Sequence, residues 1–160
     1  QDLQADISYH EACESSFSIK SVTVVPIPLS HPNNGYGYKF SENGKSFVFL
    51  TDNELGFQHP GGLTFRDYVH FSRGADFLIH DAEFTAEEYR QTRTWGHSVY
   101  TEALRLALEA KVGIFGIFHH NQERSDSSLE ELVQDCRRIV AERGERMEVF
   151  ALSQDTEIQL

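Results

Sequence analysis

The feature that most constrains the fold is a pair of short apolar runs that each end in polar side chains. The first run, 76–79, is followed by His80 and Asp81, and the second, 114–118, by His119 and His120. Buried strands of an open α/β sheet have this character, and side chains at their carboxyl ends project into the crevice where ligands bind. The sequence therefore predicts one sheet edge that carries both polar pairs.

The segments around these runs define the fold class. Helical spacing of apolar residues is found at 98–111, where Ser98 is in position to cap the helix, and again at 129–140. Upstream, two strand patterns flank Asn43-Gly44, a dipeptide typical of tight hairpins, and 156–160 has the character of a closing strand. This order predicts an α/β fold, a mixed sheet with helices on one face.

Composition and charge narrow the classes of partner. The chain has 14 lysines and arginines against 25 acids, a formal net charge of −11, and no basic stripe that would hold a nucleic-acid backbone, so a long nucleic acid is an unfavoured substrate. No apolar run reaches the ~18 residues of a membrane span. Cys13 and Cys136 match no ligand spacing and are predicted to be reduced thiols. We therefore expect a cytoplasmic protein without membrane contact.

Four motifs, in order, resemble those of a known family. They are TDNE at 51–54, LIHDAEF at 78–84, WGHS at 95–98 and FHHN at 118–121. Together they are similar to the C-terminal half of the metallo-β-lactamase-fold hydrolases, in particular the branch of tRNA 3′-end ribonucleases and cyclic-nucleotide phosphodiesterase-like enzymes. The resemblance extends from about residue 31 to 160. It implies half of an αββα sandwich, whose second face packs against an N-terminal half.

The resemblance implies that His31, Asp52 and His119 are metal ligands. In the family, matching positions carry a histidine on one divalent ion, an aspartate that bridges two ions, and a histidine on the second. Imidazole nitrogen and carboxylate oxygen suit zinc foremost, and manganese or iron as alternatives. Taken alone, His31 could be a solvated turn residue, Asp52 an Asx-turn or cap residue, and the pair His119-His120 one core and one surface histidine.

His97 and Asp81 form the predicted catalytic pair. A carboxylate beside an imidazole fixes its tautomer and favours its cationic form, so the ring can donate a proton to a leaving oxygen. The resemblance implies the same roles, and a purely structural hydrogen bond is the alternative. His120 and Asp126 are predicted as a second-shell pair that steadies a metal ligand, or else as parts of an exposed loop.

One part of the family pattern is missing. The motif His-x-His-x-Asp-His, which supplies most ligands of both ions in the resembling family, does not occur in the 160 residues. We therefore expect residues 1–160 to form a single half domain with partial or no metal occupancy, inactive by itself. Its open sheet face should be apolar and should pair with the missing N-terminal half or a second copy of the chain.

For the complete protein, the sequence predicts metal-dependent hydrolysis of a phosphodiester or similar small ester. The acidic balance favours a cyclic nucleotide or another small diester. A non-catalytic ligand- or partner-binding remnant of the fold is the alternative. A diiron oxidoreductase on the same fold is a third possibility, which the WGHS motif disfavours because a proton donor there suits ester cleavage.

Overall fold

The computed structural model describes Glu11 and residues 15–160. A seven-stranded sheet has its strands in sequence order: β1 (Phe17–Ile19), β2 (Val22–Pro28), β3 (Tyr36–Glu42), β4 (Lys45–Leu50), β5 (Phe77–Asp81), β6 (Ile114–Phe118) and β7 (Glu148–Ala151). The helices are α1 (Phe65–Ser72), α2 (Tyr89–Thr92), α3 (Tyr100–Ala110) and α4 (Asp126–Glu142). The predicted α/β fold is therefore confirmed.

The sheet is mixed. Strands β1 to β4 pair antiparallel, and β4 to β7 pair parallel. The β3–β4 hairpin turns at Asn43 and Gly44, which have φ of 50° and 77°. Positive φ at both central residues is what this hairpin turn requires, so the Asn-Gly prediction is confirmed.

Helices α1, α3 and α4 pack on one face of the sheet and form the hydrophobic core with it. The sheet contributes alternate residues of its parallel strands, which are Val48, Leu50, Leu78, Phe115, Ile117 and Val149. Helix α3 supplies the small and branched residues that let it lie close to the strands, including Ala103, Leu106, Ala107 and Ala110. This one-sided arrangement follows from parallel connections that all cross on the same side.

The opposite face of the sheet is aromatic. Neighbouring rings lie 5.4 to 6.2 Å apart between centroids and come from Tyr38, Phe40, Phe47, Phe49, Phe77, Phe118 and Phe150. The predicted strand at 156–160 is wrong, since that segment has no strand pairing. Its Ile158 and Leu160 instead line a cavity with Phe47 and Phe77. The expected apolar character of this face is confirmed.

Two further predictions concern single residues. Ser98 does not cap α3, which begins at Tyr100, because its hydroxyl donates to the Asn53 carbonyl at 2.6 Å and accepts from the Leu55 amide at 3.0 Å. Cys136 is a buried free thiol in α4, as predicted, whereas Cys13 lies outside the described residues. Within the described chain, every helix is too short or too polar to cross a bilayer.

Candidate active site

The candidate site lies at one edge of the sheet, where strands of the same direction end. Asp52 follows β4, Asp81 is the last residue of β5, and His119 follows β6. Strand β2 runs in the same direction as β4, since each is antiparallel to β3, so His31 reaches the same edge from the loop after β2. The predicted convergence of these residues is what the structure shows.

Two of the predicted ligands have an unusual backbone conformation. Asp52 has a φ of 60° and His119 a φ of 52°, both in the left-handed region. Residues other than glycine enter this region rarely, and such outliers concentrate at functional sites. Each strand turns sharply at these positions, which brings the side chain in beside the end of the neighbouring strand.

His97 and Asp81 are in hydrogen-bond contact, as predicted. Nδ1 of His97 donates to Oδ2 of Asp81 at 3.0 Å, and the His97 side chain is 15% exposed while that of Asp81 is fully buried. Burial by itself lowers the pKa of His97, but the hydrogen bond and charge of Asp81 outweigh it and leave this pKa above its ordinary value. The bond to Asp81 occupies Nδ1, so Nε2 is the nitrogen available for chemistry.

A buried polar network holds Asp81 in place. The backbone amide of Asn53 donates to Oδ2 of Asp81 at 3.3 Å, and Nδ1 of His80 lies 2.9 Å from Oδ1. The Asn53 side chain also contacts Nε2 of His80 at 3.1 Å. The hydrogen bond of His80 Nδ1 goes to the Asp81 backbone carbonyl at 2.7 Å. Burial raises the pKa of the Asp81 carboxyl, but the adjoining imidazoles of His80 and His97 outweigh it and keep the pKa below its ordinary value. Asp81 is therefore an ionised carboxylate in a closed environment.

Three imidazoles and two carboxylates form one cluster, called the donor cluster below, whose members are His31, Asp52, Glu83, His97 and His119. The His97 ring stacks on that of His119 with centroids 4.4 Å apart and meets the His31 ring edge-on at 5.6 Å. Two sets of donors have atoms within 4.8 Å of one another: His31, Asp52 and His97 in the first, and Glu83, His97 and His119 in the second. His97, predicted as a proton donor, thus belongs to both sets.

Glu83 is the member of the cluster that the sequence reasoning missed. Its Oε2 lies 3.2 Å from Nδ1 of His119 and 3.8 Å from Nε2 of His97. Both Oε2 of Glu83 and Nδ1 of His119 are buried without an aligned hydrogen bond. The signal was available in the sequence, because Glu83 follows Asp81 by two residues, the spacing that directs extended side chains to the same side.

The other two histidines of the cluster, His31 and His119, have pKa values shifted in opposite directions. Burial lowers the pKa of His31, which keeps its ring neutral near pH 7. The Glu83 carboxylate raises the pKa of His119 to about 9, with Asp52 adding to the effect through its Oδ1, 3.3 Å from Nε2. In the absence of a metal ion, His119 is therefore a cation between two carboxylates.

The predicted pair of His120 and Asp126 is not formed. Nε2 of His120 contacts the Ile117 carbonyl at 3.1 Å, and Asp126 is the first residue of α4. Within the part of the chain that the structure describes, no hydrogen bond or ion pair joins the two residues. The carboxylate beside a predicted ligand is Glu83, which approaches His119 from the end of β5.

Comparison with known proteins finds similar chains both in sequence and in structure. No protein-family model matches the chain. Ribonuclease Z from Haloferax volcanii is 40% identical over 80 residues, which are 47% of this chain and 25% of that protein. Among solved structures, YhfI of Bacillus subtilis, a metallo-β-lactamase fold protein, has a TM-score of 0.69 at 19% identity over 87% of this chain and 50% of its own. Human tRNase Z, short form, has a TM-score of 0.62 at 19% identity, over 91% and 47%.

These similarities define the fold as that of the metallo-β-lactamase proteins. In sequence, stretches of the chain are similar to curated ribonuclease Z proteins, so the resemblance predicted from the four motifs is confirmed. The chain spans about a quarter of the length of the first curated relatives that it matches and about half of the two solved chains.

The raised pKa of His119 predicts how stability depends on pH. A proton held more tightly in the folded than in the unfolded state stabilises the fold fully below the ordinary pKa of 6.5, and this contribution is lost as the pH rises through about 9. In metal-free protein with a chelator present, urea unfolding should therefore show a free energy of unfolding that falls from pH 6.5 to 9. His119→Gln should flatten this decline, whereas His70→Gln, at an exposed position on α1, should keep it. An identical slope in the His119 variant would contradict the assignment.

Proposed function

We propose that this chain carries part of the active site of a metal-dependent hydrolase that cleaves a phosphodiester. The observation that supports the proposal best is that His97, a member of the donor cluster at the carboxyl ends of the strands, is bonded to the buried carboxylate of Asp81. The fold alone does not decide the reaction, because a diiron β-hydroxylase from Streptomyces venezuelae has it too, with a TM-score of 0.56 at 13% identity, over 86% of this chain and 32% of its own. A buried carboxylate that directs an imidazole favours ester cleavage.

The donor cluster fits divalent metal ions. Its donors are imidazole nitrogen and carboxylate oxygen, and Asp52 lies beside both His31 and His119. His31, Asp52 and His119 would hold the ions, two in the complete protein, with zinc as the first candidate and manganese or iron as alternatives. Divalent ions supply Lewis-acid stabilisation of the developing negative charge and activation of the attacking water.

His97 has the features of a general acid. Asp81 fixes the proton on Nδ1 and favours the imidazolium, so Nε2 can carry the second proton and donate it to the leaving oxygen. The ring is held on both sides, by the stacked ring of His119 and the edge of His31, which limits its rotation. A fixed donor of this kind lowers the barrier for an alkoxide leaving group, which is a strong base.

Glu83 would orient His119 as a metal ligand. Histidines that bind metal through one nitrogen generally donate the other N–H to a carboxylate or carbonyl. Nε2 of His119 faces Asp52, and Nδ1 faces Glu83. Glu83 therefore fixes which nitrogen points into the site and makes the ring a stronger ligand.

Removal of this carboxylate should weaken metal binding. In the full protein that the natural gene encodes, Glu83→Gln should lower zinc affinity by about 10- to 100-fold, measured by competition with a chelating dye. Glu87→Gln is the matched control, because Glu87 is an exposed acid four residues away. Wild-type zinc affinity in the Glu83 variant would rule out the orienting role.

Two observations bear on the substrate class, the charge of the chain and the names of its relatives. A net charge of −11 favours a small diester, such as a cyclic nucleotide, over a long polyanion. The relatives carry the names ribonuclease Z and tRNase Z, so an RNA phosphodiester is the second candidate. Parallel assays with a 2′,3′-cyclic nucleotide and with a precursor tRNA distinguish the two.

The aromatic sheet face supports a partner across it. Phe118 is 37% exposed there, and its ring centroid lies 5.8 Å from that of Phe49. We infer that the other half of a two-sheet sandwich, or a second copy of the chain, covers this face, and that the chain by itself is inactive. The competing proposal is a binding remnant without catalysis, which would keep the fold and show no hydrolysis in the full natural protein.

The acid role of His97 predicts a dependence on the leaving group. In the full protein, His97→Gln should lower kcat by about 10²- to 10⁴-fold for a dialkyl phosphodiester, because the leaving alkoxide needs a proton. The same variant should lose far less activity on bis(p-nitrophenyl) phosphate, whose leaving group is a weak base. His70→Gln should retain wild-type rates on both substrates. An equal loss on both substrates would exclude His97 as the proton donor.

A further inference from the structure

Glu54 is a buried acid that the proposed reaction does not use. It is 1% exposed, and a carboxylate so deeply buried must be fully bonded to be tolerated. Its Oε1 accepts from the Thr94 amide at 2.7 Å and from the Tyr89 hydroxyl. Its Oε2 accepts from the Gly96 amide at 2.9 Å and contacts Nε2 of His59 at 2.7 Å.

The hydrogen bonds from the Thr94 and Gly96 amides to Glu54 hold a loop whose backbone has positive φ angles. Thr94 has a φ of 77° and Gly96 a φ of 104°, so both residues lie in the region that side-chain-bearing residues rarely adopt. Charge-assisted hydrogen bonds are about twice as strong as neutral ones. The Glu54 carboxylate therefore clamps the loop on both sides of Trp95, which remains 62% exposed.

This loop determines where two site histidines lie. A Cβ added to Gly96 would come within 2.2 Å of Cδ2 and 2.6 Å of Nε2 of His31, so the Gly96 backbone lies directly against that ring. His97 follows in the chain and reaches Asp81 from here. Movement of the Gly96 backbone would thus displace both the His31 and His97 imidazoles.

Glu54 also connects this loop to the other strand ends. It is two residues from Asp52, and its own amide donates to the Ser30 carbonyl, immediately before His31, at 2.8 Å. One residue therefore joins the loops that carry Asp52, His31 and His97. Since these loops come from distant parts of the sequence, their relative position depends on such cross-links.

We propose that Glu54 is the positioning residue of the site, which clamps the Thr94–Gly96 backbone so that His31 and His97 are set beside Asp52. The catalytic consequence rests on the proposed function, whereas the clamp itself does not. The substitution Glu54→Gln would present an NH₂ group in place of one carboxylate oxygen. One loop amide would then face a donor instead of an acceptor, and the clamp would open on that side.

Hydrogen exchange measures the clamp directly in the metal-free chain. In the wild type, the amides of Thr94 and Gly96 should be protected although they lie in an irregular loop, and Glu54→Gln should speed their exchange by about tenfold or more. The amides of β5 and β6 should keep their protection, which shows that the variant is folded. Glu87→Gln is the matched control. Unprotected Thr94 and Gly96 amides in the wild type would overturn the proposal even if the variant failed to fold.

Spectroscopy and kinetics separate positioning from general stability. Glu54→Gln should shift the ring resonances of His31 and His97 in NMR spectra and leave those of His70, exposed on α1, in place. In the full protein it should lower kcat by about tenfold or more with little change in KM. Unchanged His31 and His97 signals would overturn the clamp. Faster exchange with shifted signals, in a protein without hydrolase activity, would instead refute the proposed function and leave the clamp intact.

Discussion

Parallel pairing of β4, β5 and β6 is the constraint on which the site depends. It places the ends of these strands side by side, with neighbouring strands at the ~4.8 Å spacing of a sheet, so Asp52, Asp81 and His119 come to the same edge. The direction of β2 adds His31 to the same edge. Helices on one face make the pairing possible, because each parallel connection crosses there and covers the buried side of the strands.

A second layer of buried polar groups converts this coarse placement into a defined geometry. The Asn53 amide donates a hydrogen bond to Asp81 at the end of β5, and its Oδ1 accepts one from the Ser30 amide at 2.9 Å. Glu54 accepts a hydrogen bond from the Gly96 amide, in the loop before His97. These hydrogen bonds are buried, and a buried polar group without a partner destabilises the fold. The loops therefore cannot move apart without a large loss of stability. The left-handed backbone at Asp52 and His119 is tolerated because its surroundings fix it.

Much of the fold and part of the site were predictable from sequence. The apolar runs that end in His80-Asp81 and His119-His120 predicted two buried strands whose polar ends lie at one sheet edge, and Asn43-Gly44 predicted a hairpin turn. The structure has both features. The cap predicted at Ser98 and the strand predicted at 156–160 were wrong, because tertiary contacts outweighed local preference at both places. The role of Glu54 was not predictable, although this residue ends the TDNE motif, because an acid after Asp52 and Asn53 has the appearance of a solvated loop residue until the loop at Gly96 is seen against it.

The central claim is that His31, Asp52 and His119 form a metal site beside the His97–Asp81 pair. Anomalous diffraction at the zinc absorption edge, from crystals of the full natural protein soaked in zinc, tests it most directly. The account predicts an anomalous peak at Asp52, with His31 or His119 as a further ligand and with Nδ1 of His97 still bonded to Asp81. A peak elsewhere, or none at this edge of the sheet, would contradict it.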